Sequence, residues 1–229
     1  MDIRAAIAAE RRRIADLLDS LTPAQLEVPS LCGAWTVRQV AGHLVATVAA
    51  RPSQLVGALV ASGFRLHRAN ARLATTVARQ PPATLADELR RHAESRTEPP
   101  VVGFPGQLTD LQVHGQDMRR PLGLAPGLDL DRLRVSLNFL TGGRAIGFTP
   151  RRRLTGLRLE ATDLSWSWGG GELLAGPAEA LMMTITGRGV ALTDLDGPGV
   201  RVLARRLPTS VVHREPPSPT TPKTVGGKP

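Results

Sequence analysis

Two histidines and one aspartate have the residue types and spacing that best suit a metal ion. Asp110 and His114 lie four residues apart in a segment, 107–120, that is predicted to be helical, so their side chains project from one helix face. His43 lies in another predicted helix, among small and apolar neighbours, at the edge of its apolar face. Together they supply two imidazoles and one carboxylate, the usual ligand set of an open catalytic zinc site. The alternatives are a surface ion pair for Asp110 and His114 and a hydrogen-bonded core histidine for His43.

Three further features could carry chemistry. Asp117 lies on the same predicted helix face as His114 and is expected to accept a hydrogen bond from an imidazole; its alternative is an ion pair with Arg120 or a neighbouring arginine. Cys32 precedes a predicted helix N-terminus, where a thiolate is favoured, but no histidine is near it in sequence, so a small buried residue is the preferred interpretation. The run Gly169-Gly170-Gly171 lacks the Lys-Ser/Thr ending of a phosphate loop and is predicted to be a turn.

The elements that must position these residues are helical over the first two thirds of the chain. Apolar residues recur at three-, four- and seven-residue spacings from Ile3 onward, and Thr22 and Thr36 each precede a helix as capping residues. One long helix is predicted over 53–79 and is ended by Pro81. The other predicted helices are 3–21, a short turn after Thr22, 37–48, 84–95, 107–120 and 128–141.

The sequence pattern changes after Pro150. Alternating apolar and polar residues are typical of strands, and the tail from Pro208 is rich in Pro, Ser, Thr and Gly, which predicts disorder. The predicted elements are strands at 154–161, 165–168 and 197–207 and a helix at 177–185. We therefore predict an α+β chain with a helical bundle over 1–148, a small α/β domain over 149–207 and a disordered tail over 208–229.

The composition narrows the class of protein. Hydrophobic residues make up 41% and charged residues 21% of 229 residues, which is typical of a globular chain. A single Cys excludes a disulfide-stapled scaffold, no apolar run is long enough to span a bilayer, and charges interrupt the N-terminal segment where a signal peptide needs an apolar core. We therefore expect a cytoplasmic protein with no membrane partner.

The net charge of +9 comes from arginines that are spread along the chain, and aromatic residues are few. This pattern disfavours nucleic-acid binding. The oligomeric state stays open.

The segments that hold the candidate ligands resemble the signatures of a known family. The run SLCGAWTVRQVAGHL at 30–44 resembles the Cys-x-x-Trp-Thr-Val-Arg-Asp-Val-x-x-His-Leu signature of the mycothiol-dependent maleylpyruvate isomerase family, and LTDLQVHGQDMRRPLG at 108–123 resembles its second signature. The resemblance implies a DinB-like four-helix bundle that holds a divalent metal ion, usually zinc, through His43, Asp110 and His114. The isomerase has glutamate where this chain has Asp110. Residues 156–207 are more weakly similar to the family's C-terminal domain.

The resemblance also implies a reaction. Mycothiol would be the thiol cosubstrate, a small electrophile the second substrate, and S-transfer or isomerisation the chemistry. In such an enzyme the reacting sulfur comes from the cosubstrate, so the chain needs no cysteine nucleophile of its own. Arg119, Arg120 and Arg188 are candidates for binding an anionic substrate, with structural roles as the alternative. The competing hypotheses are a non-catalytic DinB-like module that binds a metal or a partner, and a DNA-binding protein driven by its arginines.

Overall fold

The computed structural model describes residues 1–143 and 145–207, apart from the side chains of residues 52, 55, 66, 67 and 151. The tail predicted to be disordered, 208–229, lies outside the described residues. Within them, the first part of the chain is helical and a three-stranded sheet lies in the C-terminal part, so the predicted α+β class is confirmed. None of the described helices combines the length and the apolarity that crossing a bilayer requires.

The helical part follows the predicted starts and ends at most elements. Thr36 and Gln39 form a reciprocal cap, in which the Thr36 N–H donates to the Gln39 side chain over 2.9 Å and the Gln39 N–H donates to the Thr36 hydroxyl. This cap fixes the start of the helix that carries His43. The helices are α1 Ile3–Ser20, α2 Pro23–Leu26, α3 Val37–Ala49, α4 Pro52–Ala61, α5 Leu66–Val77, α6 Pro82–Arg91, α7 Gly103–Arg119 and α8 Leu130–Thr141.

The prediction of one helix over 53–79 is wrong, because the chain breaks it into α4 and α5. The N–H of Gly63 donates to the carbonyl of Val60 and the N–H of Phe64 donates to that of Leu59, which is the Schellman arrangement that ends a helix. Gly63 adopts the left-handed conformation that this ending requires, with φ 59°. The apolar residues on both sides of the break hide it from a periodicity analysis.

A continuous apolar core joins the helices of the first part. Helices α3 and α5 approach closely at Gly42, where a Cβ atom would lie 2.5 Å from the carbonyl oxygen of Ala74. The next residue, His43, therefore points away from α5 and towards α7. Completely buried members of this core include Ile14, Leu18, Leu44, Leu85, Leu89 and Leu108.

The C-terminal part contains strands β1 Leu157–Ala161, β2 Ser167–Gly169 and β3 Glu172–Gly176 and helices α9 Ala178–Ile185 and α10 Gly199–Ala204. The sheet order is β2-β1-β3, with β1 antiparallel to β2 and parallel to β3. The strand predicted over 197–207 is wrong, because this segment contains α10. Val200 and Val202 alternate along the sequence but are only partly buried, whereas Leu203 is completely buried, as the helix requires.

Helix α8 connects the two parts of the chain. It packs against both α7 and α9, and its buried residues Leu133 and Leu137 belong to the same apolar cluster as Leu159 of β1 and Met182 of α9. The C-terminal elements are thus held directly on the helices that surround α7. The division of the chain at residue 148 stays a prediction.

Candidate metal centre

His43 of α3 meets Asp110 and His114 of α7 where these two helices pack together. The Nε2 atom of His43 lies 3.8 Å from Oδ2 of Asp110, and Nε2 of His114 lies 3.4 Å from Oδ1 of Asp110. The two imidazole rings meet edge to face with their centroids 4.9 Å apart. One candidate ligand atom of each residue lies within 4.8 Å of those of the other two. The structure therefore brings together the three candidate ligands that the sequence suggested.

The spacing of these atoms fits a single divalent ion. Zinc binds nitrogen and oxygen at about 2.0–2.2 Å, which separates the ligand atoms of a tetrahedral site by about 3.4 Å. The two separations, 3.4 Å from Nε2 of His114 to Oδ1 of Asp110 and 3.8 Å from Nε2 of His43 to Oδ2, end on different carboxylate oxygens and are both close to that value. The shorter side chain of Asp110 thus reaches both imidazoles. Three protein ligands leave coordination positions for an exogenous molecule, as in open catalytic sites.

The electrostatics of the cluster also suit a cation. Burial alone would raise the pKa of Asp110, but the charges and hydrogen bonds of His114 and His43 outweigh it and hold that pKa well below its usual range. Burial would lower the pKa of His114, yet the charge of Asp110 and hydrogen bonds with Asp110, Asp117 and Cys32 raise it well above its usual value. Asp110 is therefore ionised at neutral pH, and the negative potential that attracts a proton to His114 attracts a metal cation as well.

Asp117 holds the other side of the His114 ring. The Nδ1 atom of His114 donates to Oδ2 of Asp117 over 2.9 Å, which leaves Nε2 facing Asp110. The partner of Asp117 is Arg188 from the C-terminal part, rather than the predicted alternative Arg120. Nε and Nη2 of Arg188 donate to the two carboxylate oxygens over 2.9 and 2.6 Å. Burial would raise the pKa of Asp117, but Arg188 and His114 lower it, so a fixed carboxylate orients His114.

The loop before α3 adds two side chains that the sequence did not assign to the site. The sulfur of Cys32 lies within 4.8 Å of a candidate ligand atom of both His114 and Asp117. The ring of Trp35 lies 5.3 Å from that of His43, centroid to centroid. The N–H of Leu31 donates to the carbonyl of Asp117, which anchors the loop on α7. Sequence distance hid Cys32, because the nearest histidine in space comes from α7.

The three arginines suggested for an anionic substrate lie in different places. Arg188 contacts the centre through Asp117. Arg120 binds both carboxylate oxygens of Glu179 on α9 and so joins α7 to the C-terminal part. Arg119 is partly buried, and burial lowers its pKa. In this arrangement Arg120 and Arg188 hold structural contacts.

Comparison with known families gives a match within the helical part of the chain. Residues 7–100 match the family model described as the mycothiol maleylpyruvate isomerase N-terminal domain. The match includes His43 and ends before Asp110 and His114. Comparisons with curated proteins and with solved structures give no match. The family that the two signatures suggested is therefore confirmed over residues 7–100, which contain the first signature.

Proposed function

Residues 7–100 match the family model of the mycothiol maleylpyruvate isomerase N-terminal domain, and we propose that this chain is a metal-dependent thiol enzyme. His43, Asp110 and His114 bind one divalent ion, with zinc as the first candidate, and the enzyme activates mycothiol. The activated thiol attacks a small electrophile, either for S-transfer or for a thiol-assisted isomerisation. The main support is that three metal-ligating side chains from two helices converge within 4.8 Å of one another.

In the proposed chemistry, each residue around the metal centre has a separate role. A bound divalent metal lowers the pKa of a coordinated thiol, so that a thiolate is present near neutral pH. Asp117 keeps the proton of His114 on Nδ1 and leaves Nε2 free to bind. Because His114 and Arg188 occupy both oxygens of Asp117, this carboxylate orients the site and does not accept a substrate proton. The ring of Trp35 lies beside that of His43, whose side chain is only 15% exposed.

Metal content tests the ligand assignment. We expect about one divalent ion per chain by elemental analysis, as for a single three-ligand site, and a large loss of metal in His43→Ala. His92→Ala is the matched control, because His92 lies beyond α6, where its nearest described ionic partner is Glu88 at 3.4 Å. A fully loaded His43→Ala protein would show that the metal is held elsewhere.

The reaction is tested by incubating the metal-loaded protein with mycothiol and a bimane electrophile. Conjugate should form faster than without protein, and removing the metal should abolish the gain. Cys32→Ser should retain the activity, because the sulfur comes from mycothiol. No conjugate at any metal loading would favour the non-catalytic metal-binding module. Loss of activity in Cys32→Ser at full metal content would make Cys32 part of the reaction.

A further inference from the structure

Helix α4 and the turn that follows it expose apolar side chains to solvent. Val56 and Val60, four residues apart, lie on one side of α4, and Phe64 follows just after the helix ends. Their exposed fractions are 61%, 58% and 74%. Large apolar side chains exposed side by side are typical of an interaction surface. We call these three residues the apolar stripe.

The end of α4 holds Phe64 outward. In a Schellman ending, an apolar residue at the position of Phe64 commonly packs back against the last turn of the helix. Here the hydrogen bonds of the ending are formed, but Phe64, at 74%, is the most exposed of the large apolar side chains that the structure describes. Its φ of 59° lies in the left-handed region, which a bulky side chain rarely adopts and which is found mainly at functional positions.

The surroundings of the apolar stripe are positively charged. No Asp or Glu occurs between Glu27 and Asp87, a stretch that includes α3, α4 and α5. Arg65, Arg68 and Arg72 line an open depression of about 560 Å³ at the junction of α4 and α5. Among the described residues, none of these three arginines has an ion-pair partner, so their charge is available to an external anion.

We propose that the hairpin of α4 and α5 is a surface that attaches the protein peripherally to an anionic lipid bilayer. The apolar stripe would enter the boundary between headgroups and acyl chains, while the three arginines bind lipid phosphates, as in interfacial helices. Nucleic acid is disfavoured as the partner, because it has no apolar layer into which the exposed Val and Phe side chains could insert. A second copy of the chain is disfavoured, because it would bring the same positively charged arginines close to one another. The expectation of no membrane partner followed from the absence of a spanning run, which interfacial attachment does not need.

Vesicle sedimentation tests this surface independently of the metal centre, since it shares no residue with it. The full-length protein should pellet with vesicles of phosphatidylcholine and phosphatidylglycerol and stay in solution with phosphatidylcholine alone. The triple variant Val56→Ser, Val60→Ser, Phe64→Ser should reduce vesicle binding by at least about tenfold. A control with Ile146→Ser and Val190→Ser, exposed apolar residues elsewhere, should bind as the wild type does.

The charge requirement is tested separately. Arg65→Gln, Arg68→Gln and Arg72→Gln together should also cause a loss of about tenfold, whereas removing three arginines elsewhere, at Arg96, Arg201 and Arg205, should leave most binding intact. An equal loss of vesicle binding in the two arginine triple variants would overturn the proposal, because the net charge of the protein would then explain its adsorption. Three other results would also overturn it. The first is vesicle binding that survives the loss of the apolar stripe, and the second is duplex DNA binding that depends on the stripe in the same way. The third is a dimer in solution that dissociates in the stripe variant. Circular dichroism of each variant verifies that it is folded.

Discussion

Replacing Arg188 with Gln is expected to weaken both the fold and the metal centre. The guanidinium of Arg188 makes two hydrogen bonds, of 2.9 and 2.6 Å, to a carboxylate that is completely buried. Asp117 in turn holds Nδ1 of His114 over 2.9 Å. Arg188 comes from the segment after α9, so this chain of contacts runs from the C-terminal part of the protein to the candidate metal ligand His114 on α7.

The size of the effect follows from burial. Asp117 is 0% exposed and the Arg188 side chain is 15% exposed. Removing one partner of a buried ion pair costs about 3–5 kcal/mol. We expect about 3 kcal/mol for Arg188→Gln, because the remaining access to solvent lets water replace part of the lost interaction. Losing the carboxylate that orients a metal-bound histidine costs about 10–100-fold in metal affinity. Because Arg188 acts on His114 only through Asp117, Arg188→Gln should cost about tenfold, at the lower end of that range.

Urea unfolding of the metal-free protein measures the first quantity, and competition with a chelator measures the second. The matched control is Arg120→Gln, which also breaks an ion pair between α7 and the C-terminal part, with Glu179, but does not contact Asp117 or His114. It should lower stability and leave metal affinity unchanged. The double variant Arg188→Gln, Asp117→Asn should recover part of the lost stability, since no unpaired charge is left. Unchanged stability and metal affinity in Arg188→Gln would refute the role given to it.

Two further predictions concern packing and pH. Gly42→Ala should lower the free energy of unfolding by about 1–3 kcal/mol, because the new Cβ would lie 2.5 Å from the carbonyl of Ala74; Gly57→Ala, with no atom within 4 Å, should raise it by about 0.4–1 kcal/mol. Urea titrations of both variants check the contrast, and equal effects would contradict it. Metal affinity should decrease as pH falls through the raised pKa of His114, because a proton then competes for Nε2, while Asp110 stays ionised. Chelator competition over a pH series measures this, and a pH-independent affinity would exclude His114 as a ligand.

The local parts of the fold could be predicted because their causes lie within a few residues. Thr36 and Gln39 cap α3 through hydrogen bonds that span three positions, and the spacing of Asp110 and His114 places both on one face of α7 whatever surrounds it. The family that the two signatures suggested is confirmed over residues 7–100, which contain the first of them. Where local signals were weak, at the break near Gly63, sequence patterns gave the wrong element.

The sequence by itself determined most helices of the first part of the chain and singled out His43, Asp110 and His114 as candidate metal ligands. Only the tertiary structure decided that His43 faces Asp110, that Cys32 lies beside His114, and that Arg188 pairs with Asp117. The physical reason is distance along the chain. Arg188 lies 71 positions from Asp117, and nothing in the sequence distinguishes it from the many other arginines that could pair with Asp117. Packing of the C-terminal elements on α7 and α8 selects which of them reaches the buried carboxylate.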